Sequence, residues 1–160
     1  MVVAVVGNAA CSVEEAKLAQ EIGEQLASRG ATVICGGLGG AMEAVCRGAK
    51  LKGGLTVGIL PGNDPDMANP WVDVAIATGV GQGRNAMIVQ SAQAVIAIGG
   101  RYGTLSEIGH ALKRGIPVVG LSTWVLSRGG KEDDTIIRAR NVADAVDKAL
   151  SLAQNKEGQR

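Results

Sequence analysis

Phenylalanine is missing from this chain of 160 residues, and aromatic side chains come to three: two Trp and one Tyr. Binding single strands by base stacking needs aromatic platforms, so no nucleic-acid partner is expected. Histidine occurs once, as His110. A multi-histidine metal site is thereby excluded, and no protein-bound metal is expected. The three cysteines, Cys11, Cys35 and Cys46, are odd in number and show no CxxC spacing. Neither a disulfide framework nor a zinc knuckle follows. They read as small buried apolar residues in a reducing compartment. An excess of one charge is lacking too: sixteen basic against fifteen acidic side chains leave a formal net charge of +1. That balance gives no general attraction to nucleic acid or to an acidic membrane. No apolar run approaches the roughly 20 residues of a membrane span. The opening "MVVAVVGNAACS" ends like a lipoprotein cleavage box, but it lacks a basic region and its apolar run is too short for a signal. The expectation is a soluble, cytoplasmic protein.

What is abundant is glycine, 24 residues, beside Ala, Val, Ile and Leu. This is the composition of helices packed tightly on a sheet. The length suits one domain with its own core, predicted over residues 1–153, with 154–160 as a flexible tail.

Short apolar runs alternate with longer amphipathic stretches. "VVAVVG" (2–7) is continuously apolar and ends in Gly, the mark of a strand buried on both faces. Ser12 and Glu15 form a capping box ahead of a helix whose Ala16, Ala19, Ile22 and Leu26 share one face. "ATVICGG" predicts a second strand, and a helix follows from about Ala41 to Lys50. "LTVGILP", "VDVAIATG", "AVIAIGG" and "PVVGLS" predict four more strands. "GRNAMIVQSAQ" and "TLSEIGHALKRG" read as helices, "SRGGKEDD" as a polar loop, and "NVADAVDKALSLAQ" as a terminal helix. The alternation predicts an α/β fold in three layers, with a mainly parallel sheet of six or seven strands between helices.

Ligands of such sheets sit beyond the carboxyl ends of the strands. Three of the loops there are glycine-rich: "GNAACS", "GGLGG" and "GGRYGT"; a fourth, "TGVGQGRN", carries an arginine. A glycine loop entering a helix aims free N–H groups and the positive end of the helix dipole at one point, which suits a phosphate. Gly36, Gly37, Gly39, Gly40, Gly99, Gly100, Gly103 and Thr104 are therefore candidate phosphate-binding residues. No GxxxxGK[ST] occurs, and "GNAACS" is not GxGxxG. A P-loop nucleoside triphosphatase and an ordinary NAD dehydrogenase are disfavoured. Arg84, with Asn85 beside it, opens a helix. A cation there is unfavourable against the dipole and calls for an anion nearby. Thr104 and Glu107 have the T-x-x-E spacing of a second capping box, which explains both without any function. The same spacing also puts a carboxylate at the rim of the proposed pocket. His110 reads as a packing residue.

"CGGLGGAMEAVCRGAKLKGG", "VGILPG", "GVGQGRNAMIVQSAQAVIAIGG" and "GTLSEIGHAL" together resemble the Lonely Guy and molybdenum cofactor carrier superfamily, several of whose members were once labelled lysine decarboxylases. The resemblance covers about Val2 to Gly120 and is closer to the carrier branch. It implies a Rossmann-like fold and a homodimer or homotetramer. The Lonely Guy enzymes cleave a cytokinin riboside 5′-monophosphate to base and ribose 5-phosphate, with the signature PGGxGTxxE and a separate arginine. Gly100, Gly103, Thr104, Glu107 and Arg84 match. Gly99 stands in place of Pro and Arg101 in place of the second Gly.

As a hydrolase, the chain would use Glu107 to stabilise the cation-like ribose carbon and Arg84 to position the substrate. As a carrier, it would hold the phosphate of molybdopterin in the same loops; Arg101 could grip that phosphate, narrow the pocket or point to solvent. The cofactor's own dithiolene would supply the sulfurs. The carrier is the preferred expectation; the hydrolase and a nucleotide-sensing module are the alternatives.

Overall fold

In the computed structural model, residues 1–157 are described. The first strand, β1 (Val2–Gly7), is followed by α1 (Val13–Ser28), β2 (Thr32–Cys35), α2 (Ala41–Leu51) and β3 (Thr56–Leu60). Then come β4 (Val74–Ala77), α3 (Arg84–Gln90), β5 (Ala94–Ile98), α4 (Tyr102–Lys113) and β6 (Val118–Leu121). The chain closes with β7 (Leu126–Arg128), β8 (Lys131–Asp133), β9 (Ile136–Arg138) and α5 (Val142–Glu157).

Seven strands form one sheet in the order β4-β3-β2-β1-β5-β6-β9, every neighbouring pair parallel. Successive residues of β1 feed opposite cores. Val3 and Val5 pack with Ala19, Ile22 and Leu26 of α1, Val45 of α2 and Val146 of α5. Ala4 and Val6 pack with Ile88 and Val89 of α3 and Ile108 and Ala111 of α4. This period-2 division of a continuous apolar run is what a strand covered on both faces requires. The chain travels outward from β1 to β4, then returns through α3 to β5 on the other side of β1. The carboxyl ends of β1 and β5 thus flank the topological switch point, where such sheets open a crevice.

Helices α1 and α2 approach closely enough that glycine is obligatory at the crossing. A Cβ on Gly48 would lie 1.9 Å from the Gln20 carbonyl oxygen, and one on Gly23 would lie 2.1 Å from that of Val45. Neither obstacle is a flexible side-chain tip, so the helices themselves must part. Gly48→Ala is expected to destabilise the protein by about 2–3 kcal/mol, against the small gain in helix propensity that alanine normally brings. Urea denaturation measures this; a variant as stable as the parent would contradict the close crossing.

Several expectations need correction. "SRGGKEDD" is no open loop: β7 and β8 pair as an antiparallel hairpin, turned by Gly129 and Gly130 with φ of +59° and +78°. Two left-handed residues in succession make the turn whose twist matches a hairpin. The strand β9 goes unnoticed in the sequence because it is three residues long. The third helix-forming segment, "GRNAMIVQSAQ", is helical only over Arg84–Gln90 and is preceded by a 3-10 turn at Gly81–Gly83. Helix α5 runs through Glu157, so 154–157 of the expected tail continue the helix; 158–160 lie outside the described residues. His110 is exposed rather than packed, and Cys11 is only half-buried. The buried stripe of α4 is Thr104, Glu107, Ile108 and Ala111, and His110 falls beside it. Among the described residues no helix is long and apolar enough to cross a membrane.

Candidate functional site at the switch point

A cleft of about 200 Å³ opens at the switch point. Gly7, Asn8 and Ala9 line it from the loop after β1, and Arg101, Gly103 and Thr104 from the loop after β5 and the start of α4. Arg84, Asn85, Glu107, Gln82, Leu38 and Met42 complete the wall. Of the residues singled out in the sequence, Arg84, Asn85, Arg101, Gly103, Thr104 and Glu107 therefore meet in one place.

The remaining glycines stand behind that wall or beside it. Gly36 packs against the Arg84 guanidinium and Met42, Gly37 lies on Leu60 and Gly58, and Gly40 abuts the Ala9 carbonyl. Gly39 has open space around it. Gly99 and Gly100 face a neighbouring hollow. The "GGLGG" loop is held by Asn69, whose side-chain amide donates to the Gly37 and Leu38 carbonyls at 3.3 and 2.9 Å. The loop thus offers Leu38, an apolar contact, where the sequence suggested glycine backbone. Asn8, Leu38, Met42 and Gln82 are residues that sequence reasoning missed. For Asn8 the signal was the glycine loop after β1, set aside because it lacks the dinucleotide pattern.

Helix α4 begins at Tyr102 with Arg101 as its N-cap, and no side chain caps it. The expected Thr104–Glu107 capping box is absent. Gly100 takes φ of +93°, a conformation that an L side chain rarely adopts, and the chain turns into the helix early enough that Thr104 is already inside the first turn. By contrast, the Ser12–Glu15 box forms in full, with reciprocal bonds of 3.1 and 2.8 Å. The first turn of α4 thereby presents N–H groups with no side-chain acceptor at the cleft rim. Its Glu107 is released from backbone duty.

Arg84 and Glu107 are both buried, 5% and 7% exposed. One guanidinium nitrogen of Arg84 donates to Asn85 Oδ1. A second reaches the Gly36 carbonyl at 3.5 Å, while Nε has no partner. Asn85 in turn donates to Ser106 Oγ at 2.9 Å, tying α3 to α4. No ion pair joins Arg84 to Glu107 among the described residues. Burial pushes the Glu107 carboxyl up to about 8, against the pull of the Arg84 charge. Burial likewise holds Arg84 below the usual arginine range, with Glu107 opposing. The site therefore holds a cation with an unanswered donor and a carboxylic acid that is protonated at neutral pH.

A parallel sheet with its crevice between β1 and β5 defines a Rossmann-like protein, and a buried arginine and glutamate meet in that crevice among the candidate residues. The chain belongs to the SLOG cluster4 family, whose model matches residues 1–146. It is 45% identical over 141 residues to an uncharacterized protein of Archaeoglobus fulgidus, covering 88% of this chain and 93% of that one. It is also 32% identical over 117 residues to the cytokinin riboside 5′-monophosphate phosphoribohydrolase of Mycobacterium tuberculosis, covering 68% of this chain and 63% of the enzyme. Among solved structures, the molybdenum cofactor binding protein of Rippkaea orientalis superposes with a TM-score of 0.85 at 31% identity, over 94% and 96% of the two chains. The molybdenum cofactor carrier protein of Chlamydomonas reinhardtii gives 0.82 at 29%, over 96% and 98%. The superfamily read from the motifs is thus borne out.

Proposed function

We propose that this protein binds a small phosphorylated, nucleotide-like ligand in the switch-point cleft without cleaving it, and that molybdenum cofactor is the cargo. The observation that carries the reading is Arg84: a guanidinium 5% exposed, with an unpartnered Nε, on the wall of a cleft that also receives the uncapped start of α4. A buried charge without a counter-charge is costly, and a phosphate answers it with charge-assisted bonds from Arg84 and the N–H groups of α4. Arg101, on the rim, adds a second cation. The bound cofactor would bring its own metal and sulfur ligands; the chain's residues hold its phosphate.

Binding is favoured over cleavage by the strong likeness to cofactor-binding and carrier proteins. Burial raises the Glu107 carboxyl to about 8, and its protonated form donates a hydrogen bond to a phosphate or a sugar oxygen. The same protonated form would serve a hydrolase as general acid to a departing base, so turnover, not titration, separates the two readings.

The hydrolase remains the second reading, because Arg84, Gly103, Thr104 and Glu107 line the same cleft and a phosphoribohydrolase is a relative. Incubation with AMP and GMP, followed by assay for free base, separates the two. The expected result is no release, together with a thermal shift from molybdopterin. A ligand at a hundred times its Kd should stabilise by about 2.7 kcal/mol. Base release that disappears in Glu107→Gln would replace the carrier with the hydrolase.

A further inference from the structure

The turn after β5 has two sides. Gly103 and Thr104 face the cleft. Gly99 and Gly100 face a second hollow, of about 360 Å³, whose other walls are Glu15, Ser122, Thr123 and Trp124. Its chemistry is the reverse of the cleft's. The cleft carries Arg84 and Arg101; Glu15 is the one charged residue lining the hollow.

Three observations mark this hollow as built. Glu15 uses Oε2 to accept from the Ser12 N–H at 2.8 Å. Its Oε1 takes no hydrogen bond among the described residues and lies so close to Gly99 that a Cβ there would come within 1.8 Å. Ser122, also lining the hollow, has φ of +52° and is the single non-glycine residue in the left-handed region among those described. Strain of this kind persists where the surroundings impose it, and it gathers at ligand sites. Trp124 donates from its indole Nε1 to the Arg101 carbonyl at 3.2 Å, and its ring lies 5.7 Å from that of Tyr102, which is 79% exposed. A chain with three aromatic residues has gathered two of them beside this turn.

A hollow lined by both a carboxylate and an indole suits a flat ring that offers N–H donors along one edge. Guanine and the pterins do so, with a ring N–H next to an exocyclic amino group. Adenine does not: its amino group neighbours a ring nitrogen that accepts, and a carboxylate opposes it. We infer that the hollow formed by Glu15, Gly99, Gly100, Ser122, Thr123 and Trp124 seats the heterocycle of the ligand and selects a 2-amino-4-oxo ring, as in guanine or a pterin. This rests on the reading that the phosphate lies in the adjoining cleft: the ligand passes over the turn after β5, phosphate on the Arg84 side and ring on the Glu15 side.

The test compares GMP, IMP, AMP, ribose 5-phosphate and the nucleosides guanosine and adenosine by calorimetry and by Trp fluorescence. IMP differs from GMP by the 2-amino group alone. GMP should bind at least about tenfold more tightly than IMP or AMP and quench Trp fluorescence; Trp124→Leu should remove that quench. Glu15→Gln keeps the helix cap, which glutamine serves as well, and should abolish the preference while leaving ribose 5-phosphate affinity unchanged. Equal affinity for the three nucleotides, or a preference that survives Glu15→Gln, would overturn the inference even if ribose 5-phosphate binds. Absence of any phosphate-dependent binding, with guanosine still preferred to adenosine through Glu15, would uphold the hollow and remove the phosphate cleft. Absence of all binding would remove both.

Discussion

Replacing Arg84 by methionine is expected to weaken binding of ribose 5-phosphate by about a hundredfold or more, while leaving the free protein within about 1 kcal/mol of its original stability. The two halves follow from one fact. Arg84 is buried, yet among the described residues its Nε is unpartnered and no carboxylate forms an ion pair with it. In the free protein its desolvation is offset by the bonds to Asn85 and Gly36 and in part by the nearby Glu107. A methionine of similar length forfeits those bonds but removes the buried charge, so the opposing terms are of similar size. With a phosphate bound the terms no longer cancel, because two charge-assisted bonds of about 1.5–3 kcal/mol each are lost. Arg84→Lys keeps the charge without the planar fork and should fall between. Isothermal calorimetry and urea denaturation give both quantities. Unchanged affinity in Arg84→Met would place the phosphate elsewhere.

Arg84 stood out before the fold was known, since a cation opening a helix opposes the dipole; a solvated surface arginine was the competing reading, and its burial, 5% exposed, removes that one. So were β1 to β6, whose apolar runs of four to six residues admit few other readings. The elements missed were those whose pattern is carried by turns or by tertiary pairing. Strand β9 is three residues long and gains its identity from lying beside β6. The hairpin of β7 and β8 has polar strands, so only its Gly129–Gly130 turn announced it.

The site was legible as a neighbourhood and misread in detail. The glycine loops do lie around the switch point, although of the predicted glycines Gly103 alone lines the cleft. What glycines do there depends on close approaches that have no local signature, such as Gly40 against the Ala9 carbonyl at 2.2 Å from a would-be Cβ. The Thr104–Glu107 box was the natural local reading, and it failed because Gly100 lets the helix start early. A three-residue shift of a helix start, from an N-cap at Thr104 to one at Arg101, changes Glu107 from a cap into a buried acid. Glu15 shows the converse: its box forms as read, and its second oxygen still has a face to offer.

That buried acid makes stability depend on pH in a direction opposite to most carboxylates. Glu107 titrates near 4.5 in the unfolded chain and at about 8 in the fold. Below the first value both states hold the proton, and no penalty exists. As the pH rises, the unfolded state releases a proton that the folded state keeps, so folding loses about 1.4 kcal/mol per pH unit between the two values. Above about 8 the slope vanishes and the accumulated cost stays. Glu107→Gln has no proton to lose. Its stability relative to the parent should therefore grow by about 3 kcal/mol or more from pH 5 to pH 8, and then level off, with every other titrating group common to both proteins. Urea denaturation at four pH values across that range and above it measures the divergence; parallel profiles would mean that Glu107 is solvated and ionised. A bound phosphate sharpens the effect. Its negative charge opposes ionisation of the neighbouring acid, so affinity for ribose 5-phosphate should fall above about pH 8 in the parent and remain flat in Glu107→Gln. An affinity that instead rises as Glu107 ionises would mark the carboxylate form as the working one.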